Sequence, residues 1–370
     1  MSIRFYSAAF LACAGLAASL AALAQQLPPP QLPPIEPPKA MPAAPDAAPS
    51  LRVTTTEVLV PTLVEQKDGG ILYGLKPSDF ILEDNGVPQK IKVQPEMDTA
   101  PVALVVAAEE GGSSVLEFDK LARLGPLLDV FLFDPRSQVA LVGFDSKPRL
   151  IVDFTHSGDH VEKKLTELQP GSGGGAILDT VNYAVTLLES QPKEYRRVLL
   201  LISEERDHGS KHTKPLQLIM RIGESDVLVL SVSFSPGLAE FSRDMTRPYY
   251  GQTTPAHTPT PGLQEQTAGG NLLAPLIMAI NGAKKNVTKE IAELSGGEYT
   301  TFVRDKTFET EILRAARDSR NRYLITFSPS DPTPGLHTIR VRTVEDYGAR
   351  IVARANYWRD AQGQGIGSSQ

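Results

Sequence analysis

The stretch that decides the fold is Val102-Ala-Leu-Val-Val-Ala-Ala-Glu-Glu-Gly-Gly-Ser-Ser114, VALVVAAEEGGSS. Seven apolar residues run without alternation, then stop at two acids, two glycines and two serines. An unbroken run of that kind predicts a strand covered on both faces, as in a parallel sheet. In an open α/β sheet, ligands gather just past the carboxyl end of such a strand. Glu109, Glu110, Ser113 and Ser114 therefore stand either as a site or as a turn.

The same texture recurs along the chain. Residues 138–144, 149–153, 197–203, 226–233 and 297–303 read as strands, and residues 116–133, 161–168, 176–188, 214–222, 271–294 and 308–318 carry apolar positions at helical spacing. Strand–helix repetition predicts a mostly parallel sheet with right-handed crossovers and helices on both faces. The flanks differ. In residues 51–96, VTTTEVLVPTLVEQ alternates, Lys67-Asp-Gly-Gly70 makes a turn, and Asn85-Gly86 is a hairpin signal. Residues 322–327, 337–344 and 349–357 are also antiparallel in style. We expect an α/β domain over 101–320 inserted in a small antiparallel β-sandwich formed by residues 51–96 and 321–358. Residues 244–270, rich in Pro, Gly, Thr and Gln, read as a flexible insertion, and 359–370 as a disordered tail.

The beginning of the chain reads as an export device. Arg4 precedes the apolar stretch Ala8 to Ala24, and Ala22-Leu23-Ala24 has the small-x-small form of a cleavage site, so residues 1–24 read as a signal peptide. Residues 25–50 hold ten prolines and almost no large apolar side chains, a composition that cannot bury enough surface to fold. This segment reads as a disordered linker. Cys13 is the single cysteine, so disulfides, thiolate zinc sites and cysteine nucleophiles are excluded from the mature chain. These features predict a protein exported to the periplasm or the cell exterior, with no integral span after cleavage. A formal net charge of −6 without a basic stripe argues against nucleic acid as a partner.

Several local patterns invite chemistry. Gln169-Pro-Gly-Ser-Gly-Gly-Gly-Ala176 precedes a helix, but no Gly-Lys-Ser/Thr ending follows, so a tight connection packed near other loops is expected rather than a phosphate cradle. His208 and His212 are four apart, the spacing of zinc ligands on a helix, but Gly209 and Ser210 between them indicate loop, and the metalloprotease Glu is absent. No Gly-x-Ser-x-Gly elbow exists. Glu109/Glu110 and Glu204/Glu205 follow strands, where a secreted hydrolase could use carboxylates, although adjacent residues on a strand point apart and would give one inward carboxylate per pair.

The order of these pieces resembles the von Willebrand factor type A domain, in the form found in the VWFA-related proteins of Acidobacteria. The resemblance covers nearly all of residues 51–358. It is carried by LVPTLVEQKDGGILYGLKPSDFILEDNGVPQKI at the start, IAELSGGEYTTF late in the α/β region, and RYLITFSPSDPTPGLHTIRVRTVEDYGARIVARANYW at the end. It implies a Rossmann-like sheet with a metal-ion-dependent adhesion site at its top. That site has Asp-x-Ser-x-Ser after the first strand, a Thr in a Gly-Gly-Thr turn, and an Asp after a later strand.

Residue by residue, the chain departs from that pattern. The first Asp falls on Ala107, the two Ser positions on Glu109 and Gly111, the Thr on Gly175 and the last Asp on Glu204. Neither Ala nor Gly supplies an oxygen ligand, and Mg²⁺ demands near-ideal octahedral geometry. Glu109, Ser113, Glu204 and Asp207 can still converge on a looser Ca²⁺ site, receive a basic patch of a partner, or stand as solvated loop ends. The resulting expectation is an exported, non-enzymatic protein-interaction module of the adhesion type, with a degenerate metal site, no cofactor and a protein partner. A secreted hydrolase and a structural envelope component are the alternatives.

Overall fold

Alternate residues of a strand point to opposite faces of a sheet, and the run at 102–109 uses both. In the computed structural model, Val102, Leu104, Val106 and Ala108 pack into one core cluster, while Ala103, Val105 and Ala107 pack into another. This strand, β5 (Val102–Glu109), is buried along its whole length and pairs in parallel with β6 (Gln138–Phe144) on one side and β8 (Arg196–Ser203) on the other. The structure describes residues 57–94, 100–111, 121, 123–171, 173–234, 279–283, 285–302 and 305–360, all within the unit Thr54–Gln370. The expected signal peptide, proline-rich linker, insertion at 244–270 and terminal residues 361–370 lie outside the described residues.

The six-stranded sheet runs β10-β9-β8-β5-β6-β7, with β7 at Pro148–Thr155, β9 at Leu228–Phe234 and β10 at Tyr299–Phe302. Every neighbouring pair is parallel except β6 with β7. Only three residues join those two strands, too few for a crossover, so the chain turns back on itself. Helices α1 (Gly125–Phe131), α2 (Gly158–Thr166) and α6 (Asp305–Arg320) contribute to the core on one face of the sheet. On the other face lie α3 (Ile177–Glu189), α4 (Pro215–Glu224) and α5 (Val287–Ser295). The helix expected over 271–294 is interrupted within its described part. Asn286 takes an extended backbone and its side chain accepts from Lys289 N, so α5 starts afresh there.

The flanking strands form two four-stranded antiparallel sheets. One has the order β13-β1-β11-β4, from Arg350–Val352, Val58–Glu65, Tyr323–Phe327 and Ile91–Gln94; the other has the order β14-β12-β2-β3, from Asn356–Arg359, Gly335–Thr343, Phe80–Asp84 and Val87–Pro88. Each mixes strands from the two ends of the sequence, as expected. Asn85 and Gly86 have φ of 49° and 80°, the left-handed pair that a two-residue hairpin requires. The sheets share one core, in which Phe80 meets Tyr323 and Phe327 meets Tyr357 edge to face, with ring centroids 5.2 and 5.8 Å apart.

A buried polar cluster sits beside this core. His337 Nδ1 is 3.0 Å from Asp84 Oδ1, Nε2 is 2.6 Å from Thr333 O, and Tyr357 donates to Asp84 Oδ2 at 2.9 Å. Burial by itself lowers the pKa of His337. The hydrogen bonds to Asp84 and the Thr333 carbonyl, with the Asp84 charge, more than offset it and raise the value overall. Acceptors at both ring nitrogens favour the imidazolium.

Two arginines join the sandwich to the α/β layer. Arg354, just before β14, donates to Ile222 O, Gly223 O and Ser225 O, the orphan carbonyls at the end of α4, at 2.9–3.3 Å. Arg322, just before β11, donates to Gly296 O beyond α5 at 2.7 Å and to Asp318 O in α6 at 3.1 Å. Both are buried, at 5% and 1% exposure, and burial lowers the pKa of Arg354 to about 10.

Arg354→Ala strands those carbonyls and is expected to cost about 3 kcal/mol or more in urea unfolding. For His337, the raised pKa means that its stabilisation is full below the unfolded value of about 6.5 and is lost as pH rises through the folded value. Unfolding free energies measured from pH 6 upward should fall accordingly, and the His337→Gln variant should lack that fall.

Candidate functional site

The loops at the carboxyl end of the sheet are held together by close backbone approach. A Cβ on Gly173 would lie 2.8 Å from Ser146 Cβ, and one on Gly174 would lie 3.2 Å from His208 Cβ. The glycine run before α3 thus lets three loops meet: the β6–β7 turn, residues 171–176, and residues 204–214 between β8 and α4. Backbone hydrogen bonds stitch them, from Ala176 N to Asp145 O at 2.7 Å and from His208 N to Gly175 O at 3.0 Å. The run serves as a packed connection.

Glu109 ends β5 and turns its carboxyl into this junction. It is 1% exposed; Oε2 accepts from Glu204 N at 2.7 Å, and Oε1 is buried without a hydrogen-bond partner among the described residues. The carboxyl lies against Gly175, where any Cβ would fall inside contact distance of Oε1. Burial pushes the Glu109 pKa up to about 8; the Glu204 amide opposes this, and the charges of Glu204 and Asp207 add to it. The acid is therefore mostly neutral at pH 7.

Glu110 is buried as well, at 5% exposure, rather than turned to solvent beside an inward Glu109. Both of its oxygens accept from Arg149 Nη2, at 2.9 and 3.0 Å. Burial raises the Glu110 pKa, and the Arg149 charge works against it. Loops cover both sides of the strand end, so adjacent residues that point apart are both enclosed.

Of the four sequence-derived candidates, Glu109 and Glu204 come together, and Ser113 lies outside the described residues. Asp207 acts inward: its Oδ1 accepts from Leu178 N at 3.1 Å and from Ser210 Oγ at 2.5 Å, which ties the loop to the start of α3. Glu204 is half-buried, with its carboxylate 3.9 Å from His208 Nε2. His208 and His212 sit on a loop, not on a helical face. Among the described residues, no group of three or more His, Cys, Asp and Glu side chains is placed to hold a metal ion.

The sequence reading missed Asp179, in the first turn of α3. Its carboxylate accepts from the backbone N of Lys211, His212 and Thr213, at distances from 2.6 to 3.3 Å. Burial opposes ionisation, but these amides prevail and hold its pKa below the usual range. An acid in the first turn of a helix is a signal the sequence carried, although its use by a loop more than thirty residues away is not.

The contact between Glu109 and Gly175 gives a coupled test. Gly175→Ala is expected to cost about 1–3 kcal/mol, and Glu109→Ser in the same chain should recover most of it, measured as a coupling in a double-mutant cycle. Because the folded pKa of Glu109 is raised, its effect on stability falls as pH rises from about 4.5 to about 8. Glu109→Gln, which needs no proton, should gain about 1–3 kcal/mol over the parent near pH 8 and lose that advantage near pH 4.

The family described as "von Willebrand factor type A domain" matches residues 115–206. Among solved structures, the chain is similar to the conserved hypothetical protein BatB from Bacteroides thetaiotaomicron, with 17% identity, 58% of this chain and 99% of that one covered, and a TM-score of 0.38. An aerotolerance-related membrane protein from Bacteroides fragilis gives 16% identity, coverage of 58% and 98%, and a TM-score of 0.38. The PilB minor pilin from Streptococcus sanguinis gives 12%, 62% and 63%, and 0.39. No curated protein matches. No helix among the described residues is long and apolar enough to cross a membrane. The family match runs from just after β5 to just past β8, so it is residues 115–206, within the α/β region, that are similar to the von Willebrand factor type A domain.

Proposed function

We propose that this chain is an exported, non-enzymatic protein-interaction module that works through the loop face at the carboxyl end of its sheet and does so without Mg²⁺. The observation that carries this reading is the Glu109 carboxyl lodged against Gly175. The family resemblance expects an Asp at 107 and a Thr at 175; Ala107 and Gly175 offer no side-chain oxygen, and the space beside Gly175 is taken by a carboxyl that is mostly neutral at pH 7. The donor set does not fit a hard divalent ion that needs several oxygens in octahedral array. Export is supported by the signal-like residues 1–24 and the proline-rich residues 25–50.

The hydrolase alternative loses support from the same geometry. An acid–base pair must reach substrate, whereas Glu109 is enclosed and Glu110 is engaged by Arg149.

The test uses the purified full chain. Calorimetry with Mg²⁺, Mn²⁺ and Ca²⁺ should give no sub-millimolar binding, and capture of a saturable partner from envelope extract should be indifferent to EDTA. Sub-millimolar Mg²⁺ binding, or capture abolished by EDTA, would overturn the metal-free reading; absence of any saturable partner would overturn the interaction reading.

A further inference from the structure

The charges on the loop face are sorted by direction. Three of the four acids on these loops, Asp145, Glu205 and Asp207, are held by hydrogen bonds within the protein, as is Asp179 at the start of α3. Asp145 accepts from Ser146 N at 2.5 Å, Asp179 from three loop amides, Asp207 from Leu178 N and Ser210, and Glu205 from Tyr299 Oη at 2.8 Å. Glu204 is held through its amide by Glu109 and lies beside His208. The cations do the opposite. Lys147 on the β6–β7 turn, and Arg206, Lys211 and Lys214 on the 204–214 loop, are all exposed. None of the four forms an ion pair with a carboxylate among the described residues. The close approach of Ser146 to Gly173 and of Gly174 to His208 makes the two loops one continuous rim.

We propose that this rim is a binding site for an acidic peptide segment of a partner protein, held by the Lys147, Arg206, Lys211 and Lys214 side chains with no bridging metal. The proposal rests on the interaction reading above and names its ligand chemistry. The four exposed cations suit a short acidic segment that reaches their side chains directly, whereas a chain with a formal charge of −6 repels an extended polyanion at long range. No Phe, Tyr or Trp lies in residues 145–147 and 204–214, where the only rings are the imidazoles of His208 and His212, which separates this rim from the aromatic platform of a single-strand binder. The orientation also differs from the sequence-based possibility that carboxylates here receive a basic patch: Asp145, Glu205 and Asp207 are engaged within the protein, and the exposed charged side chains are cations.

The full chain should bind a fluorescent ten-residue oligoglutamate in EDTA, and the affinity should fall about tenfold or more between about 50 mM and about 500 mM salt. The Lys147→Glu/Lys211→Glu variant should lose about tenfold or more, while Lys193→Glu, an exposed cation at the amino-terminal approach to β8, should bind like the parent. Circular dichroism and urea midpoints of all three chains establish that they are folded. Three results would overturn the proposal: no binding at low salt, equal losses for the rim and control variants, or tighter binding of a ten-nucleotide oligothymidylate or phosphatidylglycerol vesicles than of oligoglutamate. A partner captured from extract whose binding ignores both salt and the rim variant would sink the acidic ligand while leaving the interaction reading intact. The absence of any saturable partner would strike that reading instead.

Discussion

The structure depends on the rule that helix-terminal carbonyls removed from water must find donors. The sandwich satisfies that rule for the α/β layer. Arg354 enters the end of α4, and Arg322 bridges the ends of α5 and α6. Each guanidinium spreads its charge over partial negative charges at helix C-termini, which allows burial without a dedicated carboxylate for Arg354. Near Arg322 lies a further network in which buried Glu65, Glu298 and Asp318 face the part-exposed Arg314, Arg317 and Arg350. The strands on either side of the α/β region are thereby part of its support. The loop face is built on a frame whose helix ends are anchored from the opposite side.

The same rule, applied to carboxylates, shapes the loop face. Asp179 is buried because loop amides solvate it, and together with half-buried Asp207, which accepts from Leu178 N and Ser210 Oγ, it holds the loop after β8 against the start of α3. Glu109 has one amide and an unpartnered oxygen. For this group the less costly solution is protonation, and its pKa rises. Two kinds of buried acid thus lie a few residues apart in space. Asp179 is ionised and structural, whereas Glu109 is mostly neutral at pH 7 and fills the place beside Gly175. Among the described loop residues, the exposed charged side chains are the cations Lys147, Arg206, Lys211 and Lys214.

Much of the fold was legible locally. The two-sided burial of β5 follows from its unbroken apolar run, the hairpin at Asn85-Gly86 from the only residues that take two left-handed conformations cheaply, and the packed loop at 171–176 from its glycines. The break at Asn286 was less visible. A capping Asn inside an apolar helical pattern is easily read through, because its effect depends on the backbone conformation it adopts. In the site, the positions were legible and the directions were not. Glu109, Ser113, Glu204 and Asp207 read in the sequence as groups able to converge on an ion, receive a basic patch or stand as solvated loop ends; of the three described, Glu109 and Asp207 are turned into the loops themselves.

The sequence by itself determined which segments form strands and helices and where the loop face lies, because apolar periodicity, turn residues and element order act over a few neighbouring residues. It also marked Ala107 and Gly175 as positions without an oxygen. Only the tertiary structure decided where the charges go. Whether an acid is bonded by amides, neutralised by a proton or paired with arginine depends on groups far away in the chain: Arg149 for Glu110, Glu204 for Glu109, and Thr213 for Asp179. Burial and hydrogen-bond supply are properties of the assembled neighbourhood, and among the described loop residues they leave lysine and arginine as the exposed charges.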